Sequence, residues 1–128
     1  MYYNMLHLKH IQTNDPLPTS QYELYDGDTH IGMLQIRHKP GRREAVPSHM
    51  ATNIYYEIDK EYRRKGYGTK LLELGLVEAK RIGLHELFVW CMEDNVASKK
   101  IIERNGGVFV AEASILGEGK MLKYRFNL

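Results

Sequence analysis

The sequence predicts an α/β (α+β) domain: a mixed, mostly antiparallel sheet with a central parallel strand pair, flanked by helices. Three observations point there. Strand-like runs separated by turn residues fill the first third of the chain and return at its end. Two stretches with helical spacing, 69–82 and 96–104, lie between them. The order strand, helix, strand over 53–91 implies two parallel strands at the middle of the sheet.

Taken in order, Tyr3 to Ile11 reads as a first strand with ragged alternation, and Gln12 to Ser20, with Asn14-Asp15-Pro16 and Pro18, as a connection. Gln21 to Tyr25 and Thr29 to Arg37 flank Asp26-Gly27-Asp28, a hairpin signal. Lys39 to Met50 contains two prolines, Gly41 and the pair Arg42-Arg43, and reads as an exposed loop. The central strand is 53–58, rich in β-branched and aromatic residues. Helix 69–82 follows, with Leu71, Leu72, Gly75, Leu76, Ala79 and Ile82 on one face and Gly83 as its stop. Leu87 to Cys91 is a second core strand, Glu93-Asp94-Asn95 supplies cap residues for helix 96–104, and Asn105-Gly106-Gly107 ends that helix. Val108 to Ser114 and Lys120 to Phe126 form a last hairpin around Gly117-Glu118-Gly119.

Composition excludes several classes of function. The 128 residues fit one domain, 1–128, able to bury roughly two-thirds of its unfolded surface. A net charge of +2 gives no global field toward nucleic acid or membrane. No apolar run approaches signal-peptide or membrane-span length. One cysteine, Cys91, excludes an internal disulfide and suits a reducing cytoplasm. The six histidines lack zinc-type spacing with it, so no metal site is expected.

The chemistry concentrates between the central strand and its helix, at Arg63-Arg64-Lys65-Gly66-Tyr67-Gly68. Amides at a helix start have no partner within the helix, and the macrodipole places partial positive charge there. Glycines allow close backbone approach, and three cationic side chains stand beside them, so this turn is an anion cradle fit for a pyrophosphate. It is not a P-loop, because Thr69-Lys70 reverses the required order, and Leu71 breaks a dinucleotide fingerprint. What remains is R-x-x-G-x-G.

A second constellation follows strand 87–91: Asn95-Val96-Ala97-Ser98-Lys99-Lys100-Ile101-Ile102-Glu103-Arg104-Asn105-Gly106-Gly107. Together the two motifs, spaced by one helix and one strand, resemble those of the GNAT-type N-acetyltransferase superfamily, and the pattern N-x-x-S-x-x-x-I-E-x-N-G-G looks like a small bacterial subgroup of it. The resemblance covers roughly residues 53–110, with a looser match in the preceding hairpin. It implies a GNAT-like fold that binds acetyl-CoA, with the pyrophosphate on Arg63, Arg64, Lys65, Gly66, Tyr67 and Gly68 and on the hydroxyl of Thr69. The pantetheine arm would lie beside the central strand where that strand splays from its parallel neighbour. Ile58 would give it main-chain hydrogen bonds, and Asn95 and Ser98 would contact it from the other side. Asn95 reads equally as a helix N-cap and Ser98 as a first-turn polar residue.

The implied reaction is direct attack of an amine-bearing acceptor on acetyl-CoA. Such attack needs a group that takes a proton from the amine and one that returns a proton to the thiolate. A backbone N–H near Ile58 could polarise the thioester carbonyl. Glu57, Glu93 and Asp94 are the carboxylates near the motifs and the base candidates; strand alternation turns Glu57 away from the face of Tyr56 and Ile58, and Glu93, at the end of the second core strand, is placed closer to the cleft. Many members of the superfamily carry a tyrosine seven residues after the motif asparagine. Here that position is Ile102, so either another group takes the role, with Tyr56 on the cleft-facing side of its strand as the candidate, or solvent does. Cys91 has no activating partner and reads as a buried core thiol.

Members of the superfamily also place one or two helices between the first two strands, where this chain has only residues 12–20. The acceptor side is therefore expected to be open, or completed by a second copy in a homodimer. A non-catalytic acyl-CoA-binding or sensing module on the same fold is the alternative. A nucleic-acid-binding domain is disfavoured, because no stacking aromatics interleave with 63–65 or 99–104.

Overall fold

A computed structural model describes residues 5–14, 19–38, 53–115, 117 and 119–128. The Lys39–Met50 loop with Arg42 and Arg43, residues Tyr3 and Asn4 of the first expected strand, Asp15 to Pro18, and Glu118 of the last turn lie outside the described residues. The elements are β1 (Leu6–Asn14), β2 (Thr19–Asp26), β3 (Thr29–Arg37), β4 (Ile54–Ile58), a 3-10 turn (Lys60–Tyr62), α1 (Tyr67–Arg81), β5 (Glu86–Met92), α2 (Val96–Arg104), β6 (Val108–Ile115) and β7 (Gly119–Asn127).

The strands form two antiparallel sheets, β1-β2-β3-β4 and β5-β7-β6. No parallel pair occurs among the described residues, which corrects the expected central pair. A strand–helix–strand passage sets the hand of a connection, but it does not oblige the two strands to share a ladder. Here β4 ends one sheet and β5 ends the other. Asn53, which is 2% exposed, ties them together. Asn53 N–H donates to Phe88 O at 3.0 Å, and Phe88 N–H donates to Asn53 Oδ1 at 2.9 Å. Asn53 Nδ2 donates to Arg37 O at 3.1 Å, so one buried amide side chain links β3, β4 and β5.

The connection expected over 12–20 is also shorter than the sequence suggested. Gln12 to Asn14 continue β1, and Thr19 and Ser20 begin β2. The ragged alternation has a cause: the β1–β2 register shifts between His10 and Gln12, a bulge at Ile11. A bulge interrupts the period of two, so polar residues beyond it read as loop although they pair.

Both helices lie on one face. On α1, a Cβ added at Gly75 would stand 2.9 Å from Leu34 Cδ2 and 3.1 Å from Ile54 Cδ1, so the missing side chain lets the helix sit close on β3 and β4. On α2, Ile102 is fully buried, and Tyr124 Oη donates to Glu103 Oε1 at 3.4 Å. The core between helices and sheets contains Leu24, Leu34, Leu71, Leu87, Val89 and Phe126. Alternation then turns Phe88, Trp90, Lys123 and Arg125 to the opposite face.

Candidate active site

Beyond the Asn53 tie, β4 and β5 part, and a cleft of about 720 Å³ opens against α1 and α2. Its walls include Tyr56, Glu57 and Ile58 of β4, Arg63, Arg64, Gly66, Gly68 and Thr69 of the cradle, and Asn95 and Ser98 of α2. The turn and α2 motifs, separated by more than a helix in sequence, thus face one another.

The edge of β4 supplies backbone groups. Arg37 N–H donates to Asn53 O, and Asp59 N–H donates to Ile31 O. These bonds fix the phase of the ladder: odd-numbered residues of β4 bond to β3, while Tyr56 and Ile58 turn their N–H and C=O groups toward the opening. The Ile58 carbonyl is already engaged, because Arg63 Nε donates to it at 2.9 Å. The expected main-chain contribution of Ile58 is therefore narrowed to its N–H.

Helix α1 starts two residues earlier than helical spacing indicated, at Tyr67 instead of Thr69. Gly66 is the N-cap of α1, with φ +84°, a left-handed conformation in which a side chain is strained. Arg64 also has a positive φ, 63°. No side chain caps α1, and its first turn has no acidic residue. The first intrahelical bond runs from Lys70 N–H to Gly66 O, so the amides of Gly68 and Thr69 have no acceptor inside the helix. An uncapped, acid-free helix start flanked by Arg63 and Arg64 favours an anion. Across the cleft α2 adds Lys100 and Arg104, four residues apart on one helical face. Sequence reading assigned these two no role here, although that spacing was visible; Tyr62 and Ile101 also line the cleft and were missed.

Two residues assigned to the cradle do not line the cleft. Tyr67 is 7% exposed, and its hydroxyl donates to Asp26 Oδ2 at 2.9 Å, pinning α1 to the β2–β3 turn. The Lys65 ammonium stands 5.9 Å from the centre of the Tyr62 ring.

On the α2 side, Asn95 Oδ1 accepts from Ser98 N–H at 3.1 Å, so Asn95 is the N-cap and a wall residue at once. Asn105 Nδ2 donates to Ile101 O at 2.9 Å and to Thr69 O at 3.1 Å, clamping the end of α2 to the start of α1. Tyr56 Oη lies 3.4 Å from Ser98 Oγ, and burial holds the phenol above its usual pKa, so it keeps its proton at neutral pH.

The carboxylates sort differently from expectation. Glu93 N–H donates to Lys120 O, its carboxylate lies 3.7 Å from Lys120 Nζ, and it is not among the cleft residues. Of Glu57, Glu93 and Asp94, only Glu57 lines the cleft. Its carboxylate accepts from Tyr55 Oη at 3.1 Å and from Arg63 Nη2 at 3.4 Å. That ion pair runs to the turn following the strand rather than across strands. Cys91 is 5% exposed, and burial pushes its thiol pKa up, which suits a core residue and not a nucleophile. Ile102 packs into the core, where a Cβ on Gly107 would stand 2.5 Å from its Cγ2.

Just outside the cleft, His30 bridges Glu23 Oε2 at 2.6 Å and Asp59 Oδ2 at 2.5 Å, and these two hydrogen bonds raise its pKa. A neutral imidazole has one N–H for two carboxylates, so the full bridge requires the imidazolium. The raised folded value means that this contribution is complete below the unfolded pKa of about 6.5 and disappears as pH rises through the folded value. The side chain is 41% exposed, so solvent limits the effect to less than about 1 kcal/mol. Urea midpoints are expected to fall between about pH 6 and pH 8 in the parent protein, with a visibly flatter profile in His30→Gln. Equal slopes would remove the bridge from the stability account.

Comparison with known proteins decides the family. Residues 2–107 match the model of the Acetyltransferase (GNAT) family. The chain belongs to this GNAT family. Over 90 residues it is 29% identical to mycothiol acetyltransferase of Geodermatophilus obscurus, covering 70% of this chain and 29% of that protein. Among solved structures, the RimL ribosomal L7/L12 alpha-N-protein acetyltransferase in complex with coenzyme A superposes with a TM-score of 0.68 at 15% identity, over 86% of this chain and 62% of that one. The ribosomal-protein-S5-alanine acetyltransferase from Vibrio fischeri gives 0.67 at 20% identity, over 85% and 61%. At such identities the likeness concerns the fold. The chain spans less than two-thirds of the length of each of these three proteins. No helix among the described residues is long and apolar enough to cross a membrane.

Proposed function

We propose that this GNAT-family domain transfers an acetyl group from acetyl-CoA to a primary amine. The observation that carries the reading is the joining of two features in one cleft: an uncapped helix start between arginines, and a strand edge with outward-facing amide groups. A diphosphate suits the first and the two amides of a pantetheine arm suit the second. Gly68 supports the fit, because it leaves the α1 amides open to close approach at a point where a Cβ would be only 2.7 Å from Ile101 Cδ1. Acetyl-CoA would supply the activated acetyl group.

The protein's own groups then divide the work. The amides of Gly68 and Thr69, with Arg63 and Arg64, hold the diphosphate, and Lys100 and Arg104 add positive charge from the opposite wall. The N–H of Ile58, turned toward the opening, would polarise the thioester carbonyl of a bound acetyl-CoA. Tyr56, protonated and beside Ser98, supplies the proton that the departing sulfur takes up. Glu57 is the cleft carboxylate able to take the amine proton, directly or through a water.

The reading is tested by acetylation of an amine panel with Tyr56→Phe beside the parent. That variant is expected to lower kcat roughly a hundredfold, with acetyl-CoA affinity changed little. A thiolate of ordinary pKa needs only weak help, so the defect should shrink as pH falls. An unchanged kcat would take the acid role away from Tyr56, while CoA binding without turnover on any amine would favour the sensing module.

A further inference from the structure

We propose that the β2–β3 hairpin positions the diphosphate cradle through Asp26 and His30, and that coenzyme affinity therefore follows the protonation of His30. The assignment rests on the acetyl-CoA reading above. Neither residue lines the cleft, so each is a positioning residue that acts through another.

The segment between β4 and α1, residues 59–66, does not hold its own shape. Arg64 at φ 63° and Gly66 at φ 84° are both left-handed, and no side chain caps the helix that follows. A left-handed residue with a side chain persists where its surroundings over-determine it. A site made of backbone amides is also no more precise than the path of the chain that carries them. The residues that fix this path therefore fix the amides of Gly68 and Thr69.

Both ends of the segment are tied to one hairpin. At the start, His30 Nδ1 lies 2.5 Å from Asp59 Oδ2, and Asp59 N–H donates to Ile31 O at 2.8 Å. At the end, Tyr67 Oη donates to Asp26 Oδ2 at 2.9 Å. Tyr62 joins the two ties: its N–H donates to Asp59 O at 2.9 Å, and its ring meets the Tyr67 ring edge-on at 6.2 Å. Asp26 is the last residue of β2 and His30 the second of β3, so the two side chains flank one turn.

His30 makes the first tie variable. Glu23 and Tyr25 face it from β2, and Asp59 faces it from the segment after β4. The Tyr25 ring meets it edge-on at 5.5 Å and in turn stacks on His7 of β1. The imidazolium can donate to Glu23 and Asp59 together, whereas the neutral ring can donate to one of them. Loss of the proton leaves two carboxylates sharing one donor, and their repulsion pushes Asp59, and with it Tyr62, away from the hairpin. An ordered cradle that holds both a proton on His30 and a diphosphate links the two equilibria. The two carboxylates hold the His30 pKa above its usual value. Affinity is then highest below about pH 6.5 and falls as pH rises through the raised value.

Calorimetry with CoA tests both ties. Tyr67→Phe and Asp26→Ala should each raise Kd about three- to tenfold, and the double variant should be no weaker than the singles. Asp26→Asn keeps an oxygen that accepts from the phenol, and should stay within about twofold of the parent. Between about pH 6 and pH 8 the parent should lose roughly threefold in affinity relative to His30→Gln. Ionisation of the terminal phosphate, near pH 6, is common to both proteins and cancels. A lowered melting temperature with unchanged Kd, additive effects of Asp26→Ala and Tyr67→Phe, or parallel pH profiles overturns the proposal. If the parent binds no CoA, the acetyl-CoA reading itself fails. Hydrogen exchange of residues 59–69 in the free protein then decides the positioning alone: faster exchange in Asp26→Ala and Tyr67→Phe supports it, and unchanged exchange overturns it.

Discussion

Replacing Gly68 with valine is expected to raise the acetyl-CoA dissociation constant at least tenfold, about 1.4 kcal/mol. Gly68 serves two surfaces at once. Its amide belongs to the first turn of α1, where a diphosphate must come close, and its missing side chain makes room for α2. A Cβ there would meet Ile101 Cδ1 at 2.7 Å, so Ile101 must swing or α2 must shift. Ile101 also lines the cleft, and either movement narrows it. Overpacking at the helix contact adds a stability cost of about 1–3 kcal/mol, so binding should be measured by calorimetry well below the melting temperature. A Gly68→Val protein that binds as tightly as the parent would falsify the assignment of the diphosphate to this turn.

The second large effect is structural. Asn53→Leu is expected to destabilise the protein by about 2–4 kcal/mol, because it removes two buried side-chain hydrogen bonds. One of them, from Phe88 N–H, ties the β4 sheet to the β5 sheet; the other holds the amide against Arg37 O. Leucine keeps the branching and is bulkier than asparagine, so no cavity forms and lost volume contributes nothing to the expected cost. The tie also marks where the two strands begin to part, and its loss should weaken acetyl-CoA binding together with stability. Urea unfolding of the variant reads the first effect. A change below about 0.5 kcal/mol, the size typical of a neutral surface substitution, would mean that the sheets are held together elsewhere.

What the sequence showed depended on how local the determining signal was. Helix 96–104 was legible to the residue because its cap, Asn95, and its stop, Asn105 to Gly107, are adjacent in the chain. The turn before α1 was legible for the same reason, although the helix it feeds starts at Tyr67 and not at Thr69. Glycines disfavour helix as single residues, yet Gly66 is the left-handed cap and Gly68 lies inside the first turn. The bulge at Ile11, and a second register shift between Phe109 and Ala111, obscured the ends of β1 and β6.

Features set by distant residues stayed hidden. Parting of β4 and β5 follows from which strands complete which sheet, and no short window records that. Choosing Glu93 over Glu57 rested on the rule that alternate side chains face opposite ways. The rule holds, but both sides of β4 reach the cleft because the strand is an edge. Arg63 looked like an anion ligand alone, although its Nε donates to Ile58 O and its Nη2 to Glu57. Lys100 and Arg104 needed the fold to bring α2 opposite the turn.

The most direct measurement is a crystal structure of the protein grown with coenzyme A. The account predicts diphosphate oxygens within hydrogen-bonding distance of the Gly68 and Thr69 amides, with the arm running along Tyr56 and Ile58 toward Ser98. Coenzyme bound at another surface, with the space between β4 and α2 left to solvent, would contradict it.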